Sequence, residues 1–209
     1  MRTVRFLGAM ALIMTMSAAT GCRGGVSQGD FTQEELSLIN GVRTAGIPEG
    51  TMRVLTIEDS LDNAVLRAAS TDLSQKALLS DDYKTLERLM VATVTHPSQD
   101  GVGIAGPQVG LNRRVVAVQR FDKPGEPFEV YPNIRIIWYS DSLEYGPEGC
   151  LSVPNRRGQV LRSREIVIEY ADSASRYTST VRDTVQGFTA VIFQHETDHL
   201  DGILYTDRL

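Results

Sequence analysis

His195, Glu196 and His199 stand in the run His-Glu-Thr-Asp-His, an HExxH sequence near the C-terminal end of the chain. On a helix, residues four apart lie on one face about one turn apart, so the two imidazoles can hold a single metal ion. Glu196, next to the first of them, can accept a proton from a metal-activated water. A catalytic metal of this kind needs a third protein ligand and one position left for water. The chain has three histidines and two cysteines, so two of its scarce soft or borderline ligands are spent at this spacing. The third ligand is either Cys150, in Glu148-Gly149-Cys150-Leu151-Ser152, or a carboxylate elsewhere. That choice decides the chemistry.

The elements that must position these residues can be read from periodicity. Phe188, Val191, Ile192, His195 and His199 follow the i, i+3, i+4, i+7, i+11 stripe of a buried helix face, with Gly187 at its start and Gly202 at its end. Ser80-Asp81-Asp82 caps a second helix whose stripe is Leu86, Leu89, Met90, Thr93 and Val94. His96-Pro97 stops it, and His96 reads as a helix-end residue rather than a ligand. Thr32 and Glu35 form a capping box for a short helix with Leu36, Ile39 and Val42 on one side, expected to pack on the domain edge. Residues 53–57, 113–119, 134–139, 165–170 and 176–181 read as strands, the last two as a hairpin. Trp138, the only tryptophan, reads as a packing residue. Strands early and in the middle with one late buried helix argue for an α+β fold.

Residues 101–110 hold four glycines and could suggest a phosphate loop. The context excludes it: no strand leads in, no Lys-Ser/Thr pair follows, and Pro107 removes a backbone donor. Glycines also serve where a ligand runs close to backbone, so the segment reads as a substrate wall with Gln108 as its one hydrogen-bonding side chain.

The chain has 209 residues, 42% hydrophobic and 22% charged, enough for one globular domain plus extra sequence. A net charge of −5 lacks the basic footprint of a nucleic-acid-binding protein. The extra sequence is N-terminal. Arg2 and Arg5 precede an apolar run, residues 6–16, too short to span a bilayer comfortably and followed by small residues, as in an export signal. Ala19-Thr20-Gly21-Cys22 resembles a bacterial lipobox, in which the cysteine is lipidated and becomes the first residue. The expected organisation is therefore a lipoprotein-type signal peptide over residues 1–21, a tether and short helix over 22–51, and a catalytic domain over 52–209. With Cys22 carrying lipid, Cys150 has no disulfide partner and is free as a thiolate or ligand.

Three blocks stand in order: Gly101-x-Gly103-x-Ala105-x-x-Gln108, Glu148-Gly149-Cys150-Leu151-Ser152, and Gln194-His195-Glu196-x-Asp198-His199-Leu200-x-Gly202. Together they resemble the three motifs of peptide deformylases, over about residues 52–209. The resemblance implies antiparallel strands wrapped around a central helix that bears HExxH. It further implies that Cys150, His195 and His199 bind one divalent metal, usually Fe²⁺, with Zn²⁺ or Ni²⁺ as alternatives. The expected reaction is hydrolysis of the formyl amide of N-formylmethionyl peptides, releasing formate. Glu196 is then the acid–base residue, and the Gln108 amide and Leu151 N–H are the oxyanion donors. Val102, Gly103, Val191 and Ile192 are expected to line the methionine pocket, with Glu148 and Arg157 holding the substrate backbone. Asp198 is expected to orient the metal's surroundings or to form a salt bridge, for instance to Arg162.

The sequence departs from the family at Gly106-Pro107 and at Tyr131-Pro132, where Asn-Pro is common. No ribosome-associated C-terminal helix is evident after the last motif. The expected location is the bacterial envelope, with the membrane reached through Cys22; initiation at Met52 would instead give a cytoplasmic enzyme. Two alternatives are a formyl-peptide-binding lipoprotein without turnover and a zincin-like peptidase, the latter having no need of Cys150.

Overall fold

The computed structural model describes residues 29–41 and 46–209. The expected export signal, Cys22, most of the tether and Val42 lie outside the described residues.

The HExxH motif is carried by helix α5 (Gly187–Leu200), and every residue from Gln194 to Leu200 is buried. Such a helix cannot be amphipathic; it must be covered on several sides by other elements. The cover is a set of antiparallel strands. β1 (Gly103–Ala105), β2 (Val115–Gln119) and β3 (Phe128–Pro132) form one sheet in that order. β4 (Arg135–Tyr139), β7 (Glu165–Ala171) and β8 (Thr180–Gln186) form a second, with β4 at the edge. β5 (Leu143–Cys150) and β6 (Val153–Ser163) form a long hairpin. Ala105, Val116, Val118, Ile166, Ile168 and Val185 from the two sheets pack with Ala190, Ile192, Phe193 and Leu200 of α5 in one apolar cluster. The α+β reading of strands around a central helix therefore describes the fold.

Four helices precede the strands: α1 (Gln33–Asn40), α2 (Ser60–Leu66), α3 (Gln75–Leu78) and α4 (Asp81–Val94). In α4 the expected stripe Leu86, Leu89, Met90, Thr93 and Val94 is buried, Ser80 caps the helix, and the helix ends before His96. Thr32 and Glu35 close the expected capping box on α1. α1 packs on α4 through Ile39, and Glu35 meets the buried Arg113 at 2.6 Å, which ties the N-terminal helix to the strand region.

Several expectations are corrected. Residues 53–57 form no strand, and Ile57 already begins a turn. Leu55 N–H bonds to the carbonyl of Gln108 (2.8 Å) and Ile57 N–H to that of Ser152 (2.9 Å), so the segment spends its backbone on two separate turns rather than one ladder. The final hairpin strand begins at Thr180 instead of residue 176, because Arg176 and Tyr177 take positive φ in the turn before it. Residues 103–109 are β1 followed by a 3-10 turn (Gly106–Val109) rather than a loop. Phe188 is not part of the buried face of α5, and Trp138, read as packing, is 47% exposed on the edge strand β4. α2, α3, β3 and the β5–β6 hairpin were not foreseen.

Candidate metal centre

Cys150 ends β5 and lies at the tip of the β5–β6 hairpin, where the register shifts between Gly149 and Cys150. That tip brings Sγ to 3.2 Å from His199 Nε2. One donor atom each from Cys150, His195 and His199 lie within 4.8 Å of one another, and this is the cluster of possible metal ligands found among the described residues. The donor set, one thiolate and two imidazoles converging from a hairpin tip and one helix face, suits a four-coordinate ion with a position left for water.

The ring orientations are set from behind. His195 Nδ1 faces Glu148 Oε2 at 2.8 Å, which leaves Nε2 for the cluster. Glu148 also takes two bonds from the Arg162 guanidinium (2.7 and 2.9 Å). Arg162 continues to Asp198 at 2.6 Å, and Asp198 accepts two further bonds from Arg208 at 2.5 Å. Burial opposes ionisation of Glu148, but the bonds from Arg162 and His195 outweigh it and hold its pKa down at about 2. Burial likewise disfavours a charged His195, yet its bonds to Cys150 and Glu148 raise its pKa to about 10 in the metal-free chain. His199 is completely buried and pushed well below its usual value, first by desolvation and then by the charge of His195. It is therefore neutral, the form that ligates. Tyr205, in the 3-10 turn Tyr205–Arg208, stacks on the His195 ring with centroids 6.1 Å apart.

Glu196 lies against β1. Its carboxylate is buried, Oε2 has no hydrogen-bond partner among the described residues, and burial raises its pKa to about 7. A base poised near neutrality can take a proton and return it. β1 passes directly over it: a Cβ on Gly103 would sit 2.6 Å from Glu196 Oε1 and 2.8 Å from Ile192 Cγ2, so only glycine lets the strand come this close. Gln108 is anchored by accepting the Ala105 N–H at Oε1 (2.8 Å), which aims Nε2 at Ser152 Oγ (3.2 Å) and Cys150 Sγ (3.6 Å). The Leu151 N–H donates to no acceptor among the described residues.

Gln108, Cys150, Leu151, His195 and Glu196 line a cleft of about 880 Å³. Val102, Gly103, Val191 and Ile192, expected around a methionine side chain, all line it, and exposed Arg157 stands in its wall. Glu148 borders the cleft too, but both its oxygens are committed to Arg162 and His195; it orients a ligand instead of offering itself to a substrate backbone. Asp198 makes the expected salt bridge to Arg162.

The sequence profile of the family described as polypeptide deformylase matches residues 52–209. This chain belongs to that family. It is 36% identical over 156 residues to a peptide deformylase of Leptospira biflexa, covering 71% of this chain and 84% of that one. It is 38% identical to peptide deformylase 2 of Nostoc sp., covering 69% and 84%. Among solved structures, a class I type b peptide deformylase of Acinetobacter baumannii bound to Met-Ala-Ser superposes with a TM-score of 0.66 at 34% identity, over 76% of this chain and 98% of that one. The peptide deformylase of Thermotoga maritima gives 0.65 at 30% identity, over 76% and 97%.

The structure brings Cys150, His195 and His199 together with Glu196, Gln108 and the cleft-wall residues named from the sequence, and four further residues brace or border the site. Ser152 steers Gln108, Arg208 anchors Asp198, Tyr205 backs His195, and Phe188 lines the cleft mouth against Phe121. Ser152 carried a signal in its place two residues after Cys150, and Phe188 in its place on the helix stripe, where it read as buried; Arg208 and Tyr205 meet the site through contacts that no spacing announces.

Proposed function

We infer that this chain hydrolyses the N-formyl group of N-formylmethionyl peptides, releasing formate and a free amine, with one metal held by Cys150, His195 and His199. The observation that carries this reading is the meeting, at the cleft, of that ligand set with a buried carboxylate and an anchored amide donor. When bound, the ion supplies Lewis acidity, lowering the pKa of a water molecule and polarising the formyl oxygen. Glu196 would take a proton from the attacking water and pass it to the leaving nitrogen, and a buried carboxyl whose pKa in the metal-free chain is raised to about 7 suits transfer in both directions. Gln108 Nε2 and the Leu151 N–H supply the oxyanion's donors, fixed in advance by the Ala105 bond and the hairpin tip. Val102, Gly103, Val191 and Ile192 take the methionine side chain, and Arg157 at the wall takes substrate backbone.

We propose Fe²⁺ as the ion on the strength of the family resemblance; the thiolate–imidazole set also accommodates Zn²⁺ and Ni²⁺. The export-signal pattern and the lipobox-like Ala19-Thr20-Gly21-Cys22 support an envelope location with the chain anchored through lipid on Cys22. Formate release from a formyl-Met tripeptide tests the activity, with the chain prepared without oxygen and loaded in turn with Fe²⁺, Ni²⁺ and Zn²⁺. Rapid release with at least one ion supports it. Stoichiometric peptide binding with no formate from any of the three would replace it with a peptide-binding role. The intact mass of the mature chain from a bacterial host checks the lipid on Cys22.

A further inference from the structure

We propose that the exposed aromatic edge of the second sheet, with the adjoining base of the β5–β6 hairpin, is a seat for a lipid bilayer surface. This rests on the envelope-anchor reading above. Ile137, Trp138 and Tyr139 on β4, Leu143 and Tyr145 on β5 and Leu161 on β6 are all exposed, Tyr145 by 68%. On β4, Trp138 pairs with Val167 on the outer face of the sheet, whereas Tyr139 pairs with the buried Ile166 and turns to the other face, so the patch consists of Trp138 and the outer face of the hairpin. Tyr145 pairs directly with Leu161, and Leu143 lies two residues along the same face. The Ser140 N–H bonds to the carbonyl of Glu165 and the Arg164 N–H to that of Ser142, which sets the end of β4 beside the start of β5. β4 is also a sheet edge, and an apolar edge left open is a template for unwanted pairing, so a cover is expected.

The identity of the cover follows from where the N-terminal segment joins the body. The Gly29 carbonyl accepts the Ser74 N–H at 2.8 Å, and a Cβ on Gly29 would lie 3.2 Å from the Asp72 carbonyl oxygen. The Asp72 carboxylate in turn holds Arg135, the first residue of β4, at 2.8 and 2.9 Å. The chain therefore enters the described body beside the strand that carries the patch. Six residues lie between Cys22 and Gly29, so the seven steps of chain reach at most about 25 Å. A lipid on Cys22 holds the bilayer within that reach of Gly29, where the chain joins the body on the Asp72–Arg135 side of β4. Trp and Tyr mixed with aliphatic side chains suit the interfacial zone, where an amphipathic ring has one apolar and one wet end. Exposed Arg164 and Glu144 pair with each other near the hairpin base, so docking here is apolar rather than electrostatic. The hairpin runs from Leu143 at the patch to Cys150 at the metal centre, about 20 Å away. Docking at its base leaves the cleft open to water.

Trp138 is the only tryptophan, so its fluorescence reports the patch without labelling. The test uses the full chain expressed with its export signal in a bacterial host and reconstituted into phosphatidylethanolamine–phosphatidylglycerol vesicles, with intact mass recorded on the same sample. Docking predicts a blue-shifted emission that brominated acyl chains quench and that survives high salt, with quenching reduced in the Tyr145→Ser/Leu161→Ser double variant while formate release is kept. A lipidated Cys22 with Trp138 still open to aqueous quencher overturns the seat and leaves the anchor standing. Quenching of Trp138 by vesicles when Cys22 carries no lipid supports the seat and removes the anchor. A blue shift without vesicles, accompanied by a doubled mass in solution, overturns the proposal in favour of a second copy of this chain.

Discussion

Replacing Gly103 by Ala tests whether the approach of β1 to α5 sets the position of the general base. The new Cβ would stand 2.6 Å from Glu196 Oε1, 2.8 Å from Ile192 Cγ2 and 2.9 Å from Glu196 Cγ. Carbon contacts relax at about 3.5–4.0 Å, so something must move by roughly an ångström. β1 cannot easily retreat, because its three residues are paired in register with Val116, Ala117 and Val118 of β2. Ile192 is buried in the core cluster, which leaves the Glu196 carboxylate as the group with room to swing. A displacement of about 1 Å from the reacting atoms costs on the order of 10²-fold in rate, and overpacking a tight core costs about 1–3 kcal/mol. The three atoms nearest the added methyl belong to Glu196 and Ile192 and not to the three ligands, so metal content is expected to stay at that of the parent chain. The assay combines formate release at saturating formyl-Met peptide, metal analysis of the same preparation and a thermal melt. The expected outcome is a metal-replete, folded protein with kcat reduced about a hundredfold. A variant that turns over within twofold of the parent would refute the assignment of β1 as the strand that positions Glu196.

Glu196→Gln is expected to keep metal and lose turnover. It also carries a stability signature: the folded pKa of about 7 lies above the ordinary 4.5, so the protonated form is favoured by folding and stability falls as pH rises from about 4.5 through 7. The metal-free Gln variant escapes that loss, gaining up to about 3 kcal/mol over the parent above neutrality and little at acid pH; equal denaturation midpoints for the two chains at pH 8 would contradict this. Glu148→Gln leaves Arg162 buried beside a neutral partner, with an expected destabilisation of about 3–5 kcal/mol and a 10–100-fold loss of metal affinity through the freed His195 ring. Because the Glu148 pKa is held down at about 2, its contribution is present above about 4.5 and lost as pH falls towards 2. Acid unfolding of the variant should therefore be shallower in that window, and denaturant titrations across it, together with chelator competition, measure both effects.

Much of the fold was legible because its signals are local. The α4 stripe, the Ser80 cap and the Thr32–Glu35 capping box depend on spacing within one or two turns, and each stands as read. What escaped was set by distant partners. Residues 53–57 have the alternation of a strand, but their donors are drawn to the turns at Gln108 and Ser152, so no ladder forms. The β5–β6 hairpin was invisible because Gly146, Pro147 and Gly149 interrupt β5 with residues that strands usually avoid. That composition fits a strand whose end must turn sharply to present a thiolate. Trp138 was misplaced for a related reason: a large aromatic in a strand reads as core unless the edge position of that strand is known.

The chemistry was legible for a different reason from the architecture that holds it. His195 and His199 share one helix face with Glu196 beside them, and that spacing announced them; Gln108 and Cys150 each sit in a short, unusual run, and the family resemblance, not residue type alone, singled them out. The ion chain behind them, which starts at exposed Arg208 and runs into the core, has no such run. Arg208, Asp198, Arg162, Glu148 and His195 come from a terminal turn, α5, β6 and β5, and they alternate in sign as they pass inward. Each member would be costly to bury alone and is acceptable only because the next neutralises it. This is why Glu148 reads as a substrate contact in the sequence and as a ligand-orienting residue in the structure. Its charge is already spent on Arg162 and His195, and a carboxylate so committed has little left to offer a peptide. Glu196 is the contrast. It is as deeply buried, yet one of its oxygens has no partner, and that difference in satisfaction, not in residue type, separates the carboxylate that holds the site from the one that works in it.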